Sequence, residues 1–422
     1  MKTYITFPQY KEQLGKHLSL VGVVVLCLLA CTWLAGCTAT PEVRGVLRNA
    51  DADYTLALRR DAYRIIRIEN VRSETLTIPS YYNKVPIVSI EQGALRNCAL
   101  VKEVILSDTL TNMDYLSIQE CENIEKIHIG AGMTTFDRGY IYGCVKLRTL
   151  TVSEENPALF VQDNCLIGRN DRILYAAAMT DTIPTGVTAI GGSAFEFLPI
   201  ETIQIPNGVT EIGIHAFSGT RLTEIALPDT VKSIGDYAFW GTRITELTVP
   251  DSVDTVGKWA FSYMTRLEKI TLGAGVTELS YFCFGRDSAL ARIEVSAENP
   301  KYYAEENCLL EKETARVVFC GNQLTIPASA RILGTGCICE DTVTQAEEVR
   351  IPTLESEAFC GSFGNVKAIY IPETVTTVEK DAIIFGVGDS HTVYCAAEEK
   401  PEGWDEDWIS GFEQFVVRWG EN

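Results

Sequence analysis

The amino-acid sequence predicts a β-rich solenoid, in which one short unit repeats and stacks along a single axis. The main evidence is a stretch from Thr182 to Phe284 that repeats one motif five times. Its copies read TIPTGVTAIGGSAF, QIPNGVTEIGIHAF, ALPDTVKSIGDYAF, TVPDSVDTVGKWAF and TLGAGVTELSYFCF. The final Phe of successive copies recurs after 22, 22, 22 and 23 residues. A fixed period of this length is typical of repeat architectures, whose units bury their apolar face only against their neighbours.

Composition supports a folded body and excludes two classes of partner. The chain has 422 residues, of which 46% are hydrophobic and 22% charged, so it can build a large core. Its formal net charge is −20, which argues against nucleic acid and against anionic lipid headgroups as partners. The charge predicts a solvated surface.

The first 36 residues have the pattern of a targeting segment and are excluded from the fold. Lys11 and Lys16 precede an apolar run over residues 18–30 that is short for a membrane span. The run ends in Leu-Ala-Gly-Cys at 34–37, which resembles a bacterial lipobox and predicts lipidation of Cys37. The alternative is an ordinary signal peptide. Residues 37–53 are predicted to be a flexible tether, so the membrane would be reached only through the lipid anchor.

The next segment, residues 54–75, is predicted to cap the first coil. Its sequence DYTLALRRDAYRIIRIEN alternates apolar and polar residues, which indicates a β-hairpin. The coils then occupy residues 76–394. Within one coil, Ile225 and Leu227 alternate with Glu224 and Ala226, which predicts a half-buried strand ended by Pro228.

The motif I-x-I-P-x-x-V-x-x-I-x-x-x-A-F resembles the BspA-type leucine-rich repeat of bacterial surface proteins. The resemblance covers most of residues 76–394 and implies adhesion to host matrix or neighbouring cells, without a cofactor. Two interruptions, at about residues 152–180 and 295–323, are copies of one another and each contains an Asn-Pro pair. The resemblance implies that they are hairpin-like insertions. It also implies that residues 395–422 form a closing segment.

That closing segment contains three tryptophans, Trp404, Trp408 and Trp419. One interpretation is an aromatic platform for sugars, and the other is a C-terminal cap that covers the last coil with large apolar side chains. We favour the cap.

Cysteines and acidic clusters are the candidate metal ligands. Cys98, Cys121 and Cys144 are 23 residues apart, so they should stack on three consecutive coils, either as free thiols, which we favour, or as a disulfide or metal site. The C-x-C at 337–339 is too tight for the usual zinc spacing. The acidic run 405–407 lacks the spacing of a calcium loop and is predicted to be a solvated turn. We therefore predict no metal and no cofactor.

No catalytic motif is present, so we expect a protein that is not an enzyme and that acts through its surface as a monomer. The outward strand positions should form a ladder that solenoids often use for binding. The candidate binding face is Thr202, Gln204, Glu224, Glu246, Thr248, Lys269, Thr271, Arg292 and Glu294, with Ala226 between them, Glu103, Ile105, Lys126, His128, Thr149 and Thr151 in earlier coils, and Ala368 and Tyr370 in a late one. The predicted function is lipid-anchored adhesion to a protein partner. The alternative is non-catalytic capture of a surface carbohydrate.

Overall fold

A computed structural model describes residues 43–280, 282–285 and 289–322 in full, and residues 326–421 except 328, 336, 340–347, 351–357, 362–367, 372, 374, 376, 386–390 and 412–414. The predicted signal segment 1–36 and the lipidation site Cys37 lie outside the described residues. The described chain is a β-solenoid with a single 3₁₀ turn at Arg138–Ile141.

The strands fall into three modules, residues 43–152, 153–295 and 296–421. Module 1 contains β1 (Val43–Arg48), β2 (Asp53–Arg59), β3 (Ala62–Glu69), β4 (Thr75–Thr77), β5 (Tyr81–Tyr82), β6 (Val85–Ile90), β7 (Leu95–Arg96), β8 (Glu103–Ile105), β9 (Asn112–Met113), β10 (Ile118–Gln119), β11 (Lys126–Ile129) and β12 (Thr149–Val152). Module 2 contains β13 (Leu159–Gln162), β14 (Cys165–Gly168), β15 (Ile173–Ala177), β16 (Ala189–Ile190), β17 (Glu211–Ile212), β18 (Ser233–Ile234), β19 (Glu246–Val249), β20 (Thr255–Val256), β21 (Lys269–Leu272), β22 (Glu278–Leu279) and β23 (Arg292–Val295). Module 3 contains β24 (Tyr302–Glu305), β25 (Cys308–Glu311), β26 (Arg316–Cys320), β27 (Ile332–Leu333), β28 (Ile338–Cys339), β29 (Glu348–Arg350), β30 (Phe359–Gly361), β31 (Ala368–Ile371), β32 (Ile383–Phe385), β33 (His391–Cys395), β34 (Ile409–Gly411) and β35 (Phe415–Trp419).

Each module opens with the same three-stranded antiparallel sheet. The sheets are β1–β2–β3, β13–β14–β15 and β24–β25–β26. In each, the register between the second and third strands shifts at a β-bulge, after which Leu56 lies opposite Ile65, Ile167 opposite Leu174, and Leu310 opposite Val317. The third strand then pairs in parallel with a strand of the following coil. The N-terminal cap and the two insertions are therefore one structural element used three times.

The first of these sheets begins earlier than the sequence predicts. Strand β1 at residues 43–48 pairs with β2 and so lies inside the segment 37–53 that is predicted to be a tether. Pairing with β1 supplies the outer strand that β2 would otherwise lack, which explains why the sheet extends beyond the predicted hairpin.

Successive coils contribute to sheets on three faces of the solenoid. The main face carries β4, β8, β11 and β12, then β19, β21 and β23, and finally β29, β31, β33 and β35. The second face carries the short strands β16, β17, β18, β20 and β22 of module 2. The third face carries β7 and β10 in module 1 and β28, β30, β32 and β34 in module 3.

The strand predicted at residues 224–227, ended by Pro228, is wrong in extent. Only single bridges join this part of the main face, from Gln204 to Thr182 and to Ala226. These coils are 22 residues apart, whereas the four-residue ladders β11–β12 and β21–β23 join coils that are 23 residues apart. The additional residue lies between the coil's Phe and the main strand, and the longer turn lets the next strand come into register.

The core is a stack of phenylalanines with aliphatic layers on either side. Phe195, Phe217, Phe239, Phe261 and Phe284 are all buried, and successive ring centroids are 5.1, 5.5, 6.1 and 5.6 Å apart. Burial of one such side chain stabilises the fold by about 2–3 kcal/mol. The repeated Phe of the sequence is therefore a core ladder, as the period predicts.

A disulfide joins Cys308 of β25 to Cys320 of β26, which lie directly opposite each other. The equivalent residues of the first insertion are Cys165 and Ala177, and Cys165 is a buried free thiol. The first insertion therefore lacks only the second cysteine of the pair, and Ala177 stands at its position, directly opposite Cys165.

The variant Ala177→Cys is expected to form a disulfide with Cys165. The two residues are 12 apart in sequence, and cross-linking a loop of this size stabilises a fold by about 2–3 kcal/mol. Thermal unfolding under oxidising conditions should give a midpoint above that of wild type, and a reductant should remove the gain. Ala177→Ser, which adds a side-chain atom without a thiol, is the control. If the thiols at positions 165 and 177 both stay free under oxidising conditions, the structural equivalence of the two insertions is contradicted.

The C-terminal segment continues the solenoid and closes it. Strands β34 and β35 add to the third and main faces, respectively. Trp404 and Trp408 are buried, and with Trp419 they form a cluster whose ring centroids are 4.9 to 6.4 Å apart. Trp404 Nε1 donates to the carbonyl of Val375, 3.1 Å away. The tryptophans thus cover the last coil, as a cap would.

In the part of the chain that the structure describes, no helix has the length and apolar character needed to cross a membrane.

Candidate functional site

The outward residues of module 2 lie side by side on the main face. Parallel pairing places Glu246 next to Lys269 and Lys269 next to Arg292, while Thr248, Thr271 and Glu294 form the adjoining row. Their inward neighbours Leu247, Ile270 and Ile293 are buried. The two rows therefore form a continuous polar surface, which we call the main-face ladder.

The other predicted residues extend the ladder towards the N-terminus without regular strand pairing. Thr202, Gln204 and Glu224 are exposed, and only Gln204 takes part in a bridge. Strands are 4.8 Å apart in a regular sheet, so side chains on consecutive coils remain neighbours.

Module 1 carries its own outward rows on β8, β11 and β12. Lys126 Nζ lies 3.1 Å from the carboxylate of Glu103, and the His128 ring bonds to the hydroxyl of Thr151 at 3.0 Å. In module 3, Ala368 and Tyr370 lie on β31, and the Tyr370 ring stacks on Tyr394 with centroids 4.8 Å apart.

The C-terminal end of the ladder is a charged network centred on Glu294. Its carboxylate accepts a hydrogen bond from Lys269 Nζ at 2.8 Å, is bridged by Arg292 Nη2, and accepts one from Thr271 Oγ1 at 3.3 Å. The bond from Lys269 and the neighbouring Arg292 guanidinium hold the pKa of Glu294 below its ordinary value. Two cations thus share the ionised carboxylate of Glu294, and Lys269 also lies beside Glu246 on β19.

An open groove of about 460 Å³ lies beside this network, where the main face meets the second insertion. Thr271, Glu294 and Val295 line it from the sheet, and Tyr303 and Lys312 line it from the hairpin. Lys312 Nζ donates to the carbonyl of Asn299 at 2.6 Å, which fixes its side chain across the corner. The insertion therefore borders the ladder and gives it a concave end.

A second set of polar side chains, of which Arg138 is buried and Glu196 and His215 are half-buried, lies where modules 1 and 2 meet. Arg138 is 3% exposed, and its Nη1 and Nη2 donate to the carbonyls of Ile141 and Cys144 at 3.1 and 3.3 Å. Glu196 lies across the junction, with its Oε1 3.6 Å from His215 Nδ1. Burial raises the pKa of Glu196 to about 7 and lowers that of His215.

An aromatic ladder continues from His215 on the following coils. His215, Tyr237, Trp259 and Phe282 all have φ near +56°, and their rings stack within 11° of parallel at centroid distances of 4.6, 6.4 and 4.8 Å. The left-handed conformation costs about 1 kcal/mol per residue, and ring stacking offsets it by a similar amount. Because neighbouring rings cover most ring faces, this ladder offers mainly ring edges to a ligand.

The candidate metal ligands of the sequence are free thiols and a turn carboxylate. Cys98, Cys121 and Cys144 are free thiols, and burial raises the pKa of Cys121 to about 12 and of Cys144 to about 11. Asp405 Oδ1 caps the backbone N–H of Asp407, as in a solvated turn. Among the described residues, no group of three or more His, Cys, Asp or Glu side chains is arranged to hold a metal ion.

The repeat, the three-faced solenoid and the outward ladder agree with a family comparison. A model of the BspA type leucine rich repeat region matches residues 69–166 and 188–311, just over half of the chain, in six copies. The chain belongs to the BspA-type leucine-rich repeat family. The interval between the two matches in this BspA-type chain coincides with part of the first insertion.

Solved structures similar to this BspA-type chain are distant in sequence. A leucine rich cell surface protein from Faecalibacterium prausnitzii A2-165 is 16% identical, with 88% of this chain and 87% of that chain covered and a TM-score of 0.36. The pneumococcal vaccine antigen PcpA is 12% identical, with 89% and 99% covered and a TM-score of 0.34. A leucine-rich repeat protein from Bacteroides ovatus ATCC 8483 is 14% identical, with 88% and 99% covered and a TM-score of 0.32. No curated protein matches the chain.

The polar cluster at the module junction could not be predicted from the sequence. Glu196 follows the Phe of its coil, and His215 precedes the Ala of the next, so they are 19 residues apart in the sequence. The period alone places such residues on adjacent coils, but Arg138 approaches them only because the first insertion lies between coils that stay in contact. That contact is invisible in the linear sequence.

Proposed function

We propose that this BspA-type protein is a lipid-anchored, surface-displayed adhesion protein that binds a protein partner on host matrix or neighbouring cells through its main-face ladder. The observation that carries the proposal is the ladder itself, because Glu246, Lys269 and Arg292 stand exposed or half-exposed on consecutive strands above fully buried neighbours. A rigid surface of this kind suits a partner that contacts several coils at once.

The contacts of the tail favour a protein partner over a carbohydrate. The carbohydrate alternative rests partly on Trp404, Trp408 and Trp419, whose rings pack against one another and against the last coil. Sugar stacking requires an exposed ring face, and the cap interpretation accounts for these rings without a ligand. We therefore propose no separate carbohydrate site.

The anchor part of the proposal concerns Cys37, outside the described residues. Cells that express wild type should incorporate labelled lipid into the protein and expose it to antibody, whereas Cys37→Ser should remove the label. Equal labelling of both would contradict the anchor.

The binding part is tested on the same cells with two threonine variants in a single coil, one on the main face and one on the second face. Thr248→Arg places a long charged side chain in the main-face ladder, while Thr255→Arg places it on β20 of the second face. We expect Thr248→Arg to reduce attachment to immobilised matrix protein or to neighbouring cells at least tenfold, because the bulky charge blocks contact with the ladder. Thr255→Arg should retain attachment. Equal loss in both, or in neither, would contradict the main face as the binding surface.

A further inference from the structure

The main-face sheet of module 2 ends at β23 in the part of the chain that the structure describes. The main-face sheet of module 1 likewise ends at β12, and the residues before and after β12 are described by the structure. In both places the three-stranded sheet of the next module follows the last main-face strand in sequence. An edge strand presents N–H and C=O groups that can pair with another chain.

The hydrogen bonds of β23 identify which backbone groups point to that edge. Arg292 N donates to the carbonyl of Glu268 at 3.1 Å, and Ser296 N donates to the carbonyl of Leu272 at 2.9 Å. Because a strand residue directs its N–H and C=O to one side and the next residue directs them to the other, those of Val295 point away from β21. Ile293 N donates to Asn307 Oδ1 at 3.0 Å, so its donor is occupied, and Val295 is left lining the groove.

The charge at this edge is opposite to that of the whole chain. The formal net charge is −20, yet Lys269 and Arg292 both contact the carboxylate of Glu294 at this edge, and Lys312 lines the groove together with Glu294. Glu246 lies one strand further away, beside Lys269. Lysine has three donor hydrogens and arginine five, so both can bind a second carboxylate while they keep Glu294.

We propose that the groove binds an extended acidic peptide of the protein partner. Its backbone pairs with the edge of β23 at Val295, and its carboxylates contact Lys269 and Arg292. Strand addition at a free edge accounts for an extended peptide, and the local positive charge accounts for an acidic one. The inference rests on the proposed function, since it names the partner chemistry at one end of the main-face ladder.

The experiment measures binding of a fluorescein-labelled octapeptide of alternating Glu and Val to the full chain, purified in detergent, by fluorescence anisotropy. The Lys269→Glu/Arg292→Glu variant should weaken binding at least tenfold, and raising the salt concentration should weaken binding to wild type. The Lys232→Glu/Lys258→Glu variant makes the same charge change at exposed residues next to strands β18 and β20 of the second face, and it should bind within twofold of wild type. Unfolding midpoints confirm that both variants are folded.

Two further probes separate strand pairing from simple anion binding. An octapeptide of alternating Glu and Pro has the same charge but cannot pair with a strand edge, and it should bind at least tenfold more weakly. Equal affinity for this peptide or for polygalacturonate would overturn the inference, as would no saturable binding of the Glu-Val peptide. If Thr248→Arg reduces cell attachment and still binds the peptide, both proposals are supported. If Thr248→Arg does not change cell attachment but peptide binding depends on Lys269 and Arg292, the proposed function is contradicted and the peptide site is supported.

Discussion

Replacing Asn299 with alanine is expected to lower the free energy of unfolding by about 4 kcal/mol, because four backbone groups lose their partner and three of these hydrogen bonds are buried. Asn299 is fully buried in the corner that opens module 3. Its Nδ2 donates to the carbonyls of Gly273 and Val276, both at 2.9 Å. Its Oδ1 accepts from the N–H groups of Lys301 and Tyr302 at 2.9 and 2.8 Å. Urea unfolding followed by circular dichroism measures the loss.

The corner that opens module 2 should respond in the same way. Asn156 Nδ2 donates to the carbonyls of Gly130 and Met133 at 2.9 and 2.8 Å, and its Oδ1 accepts from the N–H groups of Ala158 and Leu159. The asparagine follows the first glycine of a Gly-Ala-Gly segment by 26 residues in both corners. Asn156→Ala should therefore cost a similar free energy.

The matched control for the corner is the exposed residue next to Asn299. Glu298→Ala removes a side chain that accepts none of these bonds, and it should change stability by less than about 0.5 kcal/mol. A loss below about 1 kcal/mol in both asparagine variants would mean that the corner does not depend on these hydrogen bonds.

The same corner explains why the fifth copy of the motif has glycine where the others have proline. Gly273 stands at the proline position, and a Cβ there would lie 2.5 Å from the carbonyl carbon of Pro250; Gly130 stands in the same relation to Ser107, also at 2.5 Å. Glycine lets the coil approach its predecessor closely, and the carbonyl of Gly273 itself accepts from Asn299. The irregular copy in the sequence is thus adapted to the insertion that follows it.

The periodic features of the fold could be predicted from the sequence because equivalent residues of successive repeats are neighbours in the stack. Phe217 must stack on Phe239 if coils are in register, and Thr248 must stand beside Thr271. The inward and outward positions follow from alternation along a strand. Period and alternation thus supply both the core ladder and the candidate binding face.

Features that depend on how modules begin could not be predicted in this way. The N-terminal sheet and the insertions share a topology and a bulge, but the second strands opposite their bulges read YTLA, CLIG and CLLE, which have too few residues in common to align. The disulfide between Cys308 and Cys320 depends on the register inside one hairpin, which the spacing of cysteines does not specify. The groove at the end of the ladder depends on where the second insertion projects.

The titration of Glu196 is expected to make stability fall as the pH rises from about 4.5 to 7. The pKa of its carboxyl is about 7 in the folded protein, against an ordinary value of 4.5, because burial disfavours the charged form. The folded state therefore binds a proton that the unfolded state has released in this range. A shift of this size corresponds to about 3 kcal/mol of stability that is present below pH 4.5 and lost above pH 7.

Glu196→Gln keeps the shape of the protonated side chain and removes the titration. Its unfolding free energy relative to wild type should rise by about 3 kcal/mol between pH 4.5 and pH 8. His215 has a lowered pKa, so it contributes the opposite slope, but it is present in both proteins and largely cancels in the difference. The groups that act on Glu196 are Ser193, Arg138, Asp137, His215, Tyr115 and Tyr142.

Urea unfolding of both proteins at pH 4.5, 6 and 8 measures this difference. Glu211→Gln is the control, because it removes a carboxylate from the exposed second face, and its difference from wild type should change little with pH. If the difference in unfolding free energy between Glu196→Gln and wild type is the same at pH 4.5 and pH 8, the ionised carboxylate is stabilised by a partner. Arg138 would then have to pair with Glu196 more closely than it does in the structure. A rise of the expected size means that the junction between modules 1 and 2 contains a carboxyl group that resists ionisation at neutral pH.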